Sequence, residues 1–409
     1  MRLNNTLFYL RVYFGPLLSP LKLIFDLKKL NIPTSDIFFV ASPADVQTPS
    51  GSLYIPDKLQ GIIQIVEKRH LSYSKFFHLF SERSKYENKS SFIRLELLFL
   101  LHTLANPVRF YIRLGSILKR THELGNISSR QKIRFVYWSL LFLEKKPKII
   151  FAIGFDEILI ASAKLQGLKT IEVMHGLFAQ GHSPFSFETN TELRKPDLFL
   201  SWHDDFTAIV NNLGVPAETL GYPNNFPKEL KSLTREVRKS GIFVTLSWGL
   251  TASADPFGTF NHQMYLYLRD FRTEDFIFRI HPVACQTRQK TLRITKWLEQ
   301  EFPGCKVSIP FQEPLLEVLA SSLLHVTYES STFFEASLVG IPTLFFNTTG
   351  NLNVHIPEEL VNKGLVFFNK DFVANQQSRI TSGDGIRYLE ADLEEGKIVT
   401  ILKLAKLIT

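Results

Sequence analysis

The sequence predicts an α/β protein of two doubly wound lobes facing a central cleft, with extra helices ahead of them. Three observations predict it. From Lys148 onward, short apolar runs alternate with stretches of helical period, as parallel strands and their crossover helices do. The alternation stops at a polar, Pro-containing stretch and starts again beyond it, so the chain holds two halves of like architecture. Polar residues able to do chemistry fall where apolar runs end, at the carboxyl edge where open α/β sheets take ligands.

A chain of 409 residues is long enough for two or three cores. The expected boundaries are a first lobe over 1–228 with a basic helical region, a linker over 229–240, a second lobe over 241–388 and a terminal helix over 389–409. Cys285 and Cys305 are the only thiols, and neither has a second at metal-ligand spacing. No disulfide framework, zinc site or other metal is expected, which fits a reducing compartment.

The net charge of +8 is unevenly placed. Residues 1–150 hold 23 Lys and Arg against 10 Asp and Glu, and the remainder holds 24 against 29. A basic half points to an anionic partner. No zinc-finger, helix-turn-helix or RNP motif is present, so nucleic acid is not expected. Basic residues mixed with apolar helices, such as Arg109, Arg113, Lys119 and Arg120, suit an anionic membrane surface or serve as a solvated face. The run Leu97 to Ala105 is too short to cross a bilayer, and the first 25 residues lack the apolar core and cleavage site of a secretory signal. The expectation is a cytoplasmic protein lying on the inner membrane face.

Taken in order, Ile37 to Ala41 reads as a buried strand and Gly61 to Val66 as another. Tyr73 to Glu123 reads as helical, interrupted at Pro107. Strands follow at 149–153 and 170–174 around a helix at 157–166, then a strand at 197–202, a helix near 205–213 and a turn at Gly221-Tyr222-Pro223. The second half gives strands at 241–246, 275–280, 307–309, 324–328 and 343–346, with helices at 262–271, 288–302, 313–321 and 332–339.

Four signals sit at strand ends: His175-Gly176, Ser247-Trp248-Gly249, Arg279-Ile280-His281-Pro282 and Glu329-Ser330-Ser331. The serine pair stands where a helix begins. Its hydroxyls either cap that helix or, with the N–H groups of the first turn, receive an anion such as phosphate. Glu335 lies one turn on, within reach of a sugar hydroxyl. Arg279 and His281 offer further phosphate donors, so a nucleotide mono- or diphosphate site is expected in the second half. A histidine after a strand is either hydrogen-bonded scaffolding or a base. Trp248, beside a loop, is expected in the core rather than stacked on a ligand.

The segments Arg279-Ile280-His281-Pro282 and Tyr328-Glu329-Ser330-Ser331-Thr332-Phe333-Phe334-Glu335-Ala336, closed by Gly340-Ile341-Pro342, resemble the His-Pro and Ser-Ser motifs of GT-B bacterial surface-polysaccharide transferases. That group includes CDP-glycerol glycerophosphotransferases, polysialyltransferases and capsule Kdo transferases. Gly167 to Gly176 is similar to the strand and His-Gly turn of the glycerophosphotransferases, and the likeness spans residues 148–350. It implies two Rossmann-like domains, the first binding the acceptor and the second the nucleotide donor. It further implies donor binding by Arg279, His281, Ser330, Ser331, Thr332, Glu335 and Ser247, Glu335 taking the ribose diol, and His175 as the base.

The sialyl members carry their base in a paired-acid-plus-Gly motif. Here Asp156-Glu157-Ile158 and Asp204-Asp205-Phe206 lack the glycine, which leaves Asp156 as the second candidate. The implied activity is metal-independent, cofactor-free, inverting transfer from a nucleotide sugar to a glycan or lipid-linked acceptor of capsule or lipopolysaccharide. Glycerophosphate transfer, nucleotide-sugar epimerisation and a non-catalytic role in a polysaccharide assembly complex are the alternatives.

Overall fold

Ile149–Ile153 is buried at every position, as a strand covered by helices on both faces must be. It is central to the first of two six-stranded parallel sheets. The computed structural model describes residues 35–41, 46–47, 55–56, 59–77, 107–153, 156–176, 192–223, 240–250, 253–270, 275–285, 288–310, 312–313, 315–346, 355–368, 389 and 392–408. The apolar run at 97–105 and the proposed linker, but for Ser240, lie outside the described residues.

The first lobe runs β1 (Ile37–Ala41), α1 (Gln60–Lys68), β2 (Tyr73–Phe77), α2 (Pro107–Lys119), α3 (Ser129–Lys145), β3 (Ile149–Ile153), α4 (Glu157–Lys164), β4 (Lys169–Val173), β5 (Leu198–Ser201), α5 (Asp204–Asn212) and β6 (Ala217–Thr219). Its sheet order is β2-β1-β3-β4-β5-β6, parallel throughout. Gly61 to Val66 is helical, not the expected strand: Ile62, Ile63, Ile65 and Val66 are the buried stripe of α1, and a six-residue apolar run fits either period. Tyr73–Phe77 is a strand, not helix. Pro107 opens α2 instead of interrupting a helix, since the first helical turn needs no N–H from it.

Helix α3 begins in a capping box, with Gln131 N–H donating to Ser128 Oγ at 3.3 Å and Ser128 N–H to Gln131 Oε1 at 2.8 Å. It lays Trp138, Leu141 and Phe142 against Phe38, Ile150 and Ala152 of the sheet.

The second lobe runs β7 (Ile242–Thr245), α6 (His262–Asp270), β8 (Phe276–Arg279), α7 (Arg288–Glu301), β9 (Lys306–Ser308), α8 (Leu315–Ala320), β10 (Leu324–Thr327), α9 (Thr332–Leu338), β11 (Thr343–Phe345), α10 (Glu358–Asn362) and β12 (Val366–Phe368). The order β9-β8-β7-β10-β11-β12, again parallel, reverses direction between β7 and β10. That reversal opens a crevice at the carboxyl ends of those two strands.

Two features join the lobes. Met174, Phe199, Trp202, Phe206 and Tyr222 share one apolar cluster with Phe333, Phe334, Leu338 and Leu360. The terminal helix α11 (Glu395–Leu404) starts six residues later than expected from the sequence, and it returns to the first lobe, burying Ile398, Ile401 and Leu402 against α1. Among the described residues no helix is long and apolar enough to cross a membrane.

Candidate functional site

At the crevice of the second lobe the ends of β7 and β10 are tied together. Ser247 Oγ donates to the Tyr328 carbonyl at 2.7 Å, and Thr245 Oγ1 to Thr327 Oγ1 at 2.7 Å. Beneath them His325 lies fully buried between Thr245 Oγ1 and Thr343 Oγ1, each 3.0 Å from a ring nitrogen. Burial pushes its pKa down to about 3, so it is a neutral part of the scaffold.

The turn above β10 is built by Glu329, Ser330 and Ser331. Glu329 adopts a left-handed backbone, φ +55°, which a residue with a side chain rarely takes. Ser330 Oγ accepts from Thr332 N–H at 3.3 Å and lies 2.9 Å from Thr332 Oγ1, so Ser330 is the cap. Ser331 makes no side-chain cap bond. Helix α9 has only seven residues, so a short row of peptide dipoles stands behind the turn. Glu335, in its first turn, is 2% exposed and accepts from the Tyr222 hydroxyl of the first lobe at 3.4 Å. Its carboxylate is thus turned toward the partner lobe within a buried seam.

Arg279 ends β8 and is buried, with Nη1 donating to Ser308 Oγ at 2.7 Å and to the Glu313 carbonyl at 2.8 Å. Those bonds hold the segment after β9. His281 is half-buried, and its Nδ1 accepts from Val283 N–H at 3.2 Å. A neutral ring with that bond carries its proton on Nε2 and is a donor there.

In the first lobe, His175 and Gly176 follow β4 at its carboxyl end, and His175 is half-buried. A methyl group placed on Gly176 would stand 3.7 Å from Ser331 Oγ. The His-Gly turn of one lobe therefore meets the serine pair of the other. Asp156 is not in an equivalent position. It is 3% exposed, caps α4 by accepting from Ile158 and Leu159 N–H at 3.1 and 3.2 Å, and pairs with Arg134. Both of its oxygens are thereby committed to structure.

A second polar seam crosses the lobes nearby. His203 Nδ1 accepts from Asp205 N–H at 3.2 Å while its Nε2 lies 3.1 Å from Glu359 Oε2, and His355 Nε2 is 3.4 Å from Asp205 Oδ2. Bonds to Lys363 and His203 lower the Glu359 carboxyl below its ordinary value. No group of three or more His, Cys, Asp or Glu placed to hold a metal ion occurs among the described residues.

Three residues here were not legible as site residues. Trp248, expected in the core, is 55% exposed at the carboxyl end of β7, carried there by a loop closed by Ser247 N–H to Thr259 O at 2.9 Å. Tyr222 read as part of a turn, and Glu329 as part of the polar turn with the serines, without a role of its own. An acid in front of two serines at a strand end was the available signal for Glu329.

No family model matches the chain, and no curated protein matches it in sequence. Solved structures match its fold. The UDP-N-acetylglucosamine 2-epimerase of Rickettsia bellii is 13% identical, with 91% of this chain and 98% of that one covered and a TM-score of 0.54. The UDP-GlcNAc 2-epimerase of Methanocaldococcus jannaschii, solved in complex with UDP-GlcNAc and UDP, is 13% identical over 90% and 99% of the two chains, with a TM-score of 0.51. The wall teichoic acid polymerase TagF is 13% identical over 94% and 91%, with a TM-score of 0.50. Two Rossmann-like parallel sheets in this order, matched along nearly the whole chain, are the GT-B fold.

Proposed function

We propose that the protein is an inverting, metal-independent glycosyltransferase that moves a sugar from a nucleotide-activated donor to a surface-glycan acceptor, capsule or lipopolysaccharide. The observation that carries this reading is the approach of Gly176 to Ser331, which brings a histidine turn and a serine turn together across the lobes. The donor phosphates occupy the Ser330-Ser331-Thr332 turn, with His281 Nε2–H as a further donor. Arg279 and Ser247, whose bonds run to Ser308, Glu313 and Tyr328, shape this pocket from behind. Glu335 reaches the ribose once Tyr222 releases it.

His175 takes the proton of the acceptor hydroxyl, and the oxygen attacks the anomeric carbon. The bond from that carbon to the phosphate oxygen breaks, and the electron pair leaves with the phosphate. Fixed N–H and O–H donors at the turn stabilise that charge as it develops. Asp156, capped and ion-paired, is set aside as the base.

Thermal shift against CMP-, CDP-, UDP- and GDP-sugars tests the reading, since a true donor stabilises the fold by mass action. At least one is expected to raise the melting temperature of the wild type and to lose that effect in His281→Ala. No response from any of them sinks the proposal.

A second reading, nucleotide-sugar epimerisation, is favoured by the fold likeness to two UDP-GlcNAc 2-epimerases. Donor incubated alone separates the two: an isomerised sugar without acceptor marks the epimerase.

A further inference from the structure

Glu329 combines features that a spacer residue does not need. Its backbone is held at φ +55°, where a Cβ is strained and glycine would be relaxed. It sits at the carboxyl end of β10, the strand that flanks the reversal of sheet order, between the Tyr328 carbonyl bonded to Ser247 and the capping hydroxyl of Ser330. Its Oε1 is buried and accepts no hydrogen bond. Burial pushes the carboxyl above its ordinary value, against a smaller pull from the Tyr328 hydroxyl. A strained backbone that holds a buried, unsatisfied acceptor beside the reversal of sheet order is costly in the folded chain alone.

We infer that Glu329 determines donor specificity: its Oε1 accepts a hydrogen bond from a hydroxyl of the polyol group carried on the donor phosphate, a sugar or glycerol. The inference rests on the donor site proposed above and adds the residue that separates a loaded nucleotide from a bare one. An ionised carboxylate beside a phosphate-binding turn repels the anion, so the side chain suits the neutral, hydroxyl-bearing part of the donor. Ser330, Ser331 and His281 are left to the phosphates. The bond closes on ligand binding an acceptor that folding leaves open.

The test compares wild type, Glu329→Gly and Glu329→Ala in binding two pairs of probes: UDP-GlcNAc against UDP, and CDP-glycerol against CDP. Wild type is expected to prefer the loaded member of at least one pair. Both variants should lose about tenfold or more of that preference, the scale of a hydrogen bond to a charged group, while the bare nucleotide binds as before. Without ligand, Glu329→Gly should melt higher than Glu329→Ala, because only glycine relaxes the left-handed turn. A preference unchanged in both variants overturns the inference and leaves the donor site standing. A wild type that binds neither member of either pair removes the donor site and the inference together.

Discussion

Tyr222 of the first lobe donates its phenolic hydrogen to Glu335 Oε1 of the second, 3.4 Å away inside a buried seam. The same acid is the residue proposed to grip a ribose, so on that proposal one carboxylate serves the closed interface and the ligand in turn. Removing the hydroxyl in Tyr222→Phe takes a donor from a buried carboxylate, which costs about 1–3 kcal/mol. Urea unfolding should show that loss, and a double-mutant cycle with Glu335→Gln should show coupling. Additive effects would mean the two groups do not interact in solution.

His175→Ala is expected to lower transfer by about 10²–10⁴-fold, the usual contribution of a positioned base. Donor binding, read by calorimetry, should be preserved because the proposed phosphate site lies on the other lobe. Turnover within a few fold of wild type would remove His175 as the base.

Trp248 is 55% exposed, so Trp248→Ala should change stability by no more than about 0.5 kcal/mol. An aromatic ring at the mouth of the crevice that stacks on base or sugar contributes about 0.5–1.5 kcal/mol, or roughly two- to tenfold in donor affinity. Equal donor affinity in the variant would make the ring a bystander.

His325 sets an acid limit on the fold. Its folded pKa, about 3, lies below the ordinary 6.5, so between those values the unfolded chain binds the extra proton. This contribution to stability is complete above pH 6.5 and is lost as pH falls toward 3, by about 1.4 kcal/mol per pH unit. Unfolding free energies taken in steps from neutral to acid should show that slope, and His325→Asn should flatten it. An unchanged slope in the variant would assign acid sensitivity elsewhere.

Gly61 sits where two passages of chain meet. A Cβ there would lie 2.5 Å from Leu393 Cδ2 and 2.8 Å from the Pro223 carbonyl oxygen, whose backbone cannot step aside. Gly61→Ala should therefore destabilise by about 1–3 kcal/mol in thermal or urea unfolding. Wild-type stability would show that the passages have slack.

The alternating second half was legible because each run there has one period: Leu324–Thr327 buried at every position, then a turn, then Thr332–Leu338. The serine pair and His175 were legible for the same reason, since a polar residue ending an apolar run announces a strand edge. The first half misled where a run was too short to show its period, as at Gly61 to Val66, or where a real start signal, Ser128 with Gln131, went unweighed. Tyr222, Trp248 and Glu329 were hidden for another reason. Their placement depends on which lobe or loop faces them and on a backbone angle, and neither is written in local pattern. Asp156 shows the converse: an acid at a strand end reads as chemistry until Arg134, 22 positions earlier, is seen to claim it.

The chain leaves the first lobe beyond Pro223 and comes back by Leu393, and both points press on Gly61, with Gly61 N–H bonded to Pro223 O at 3.0 Å. Two contacts so close to one residue make α1 the natural point about which the lobes would turn. Opening and shutting around a substrate would then follow a single arc with its pivot at α1, and a crosslink laid across that pivot would lock the angle while leaving every residue near the serines untouched.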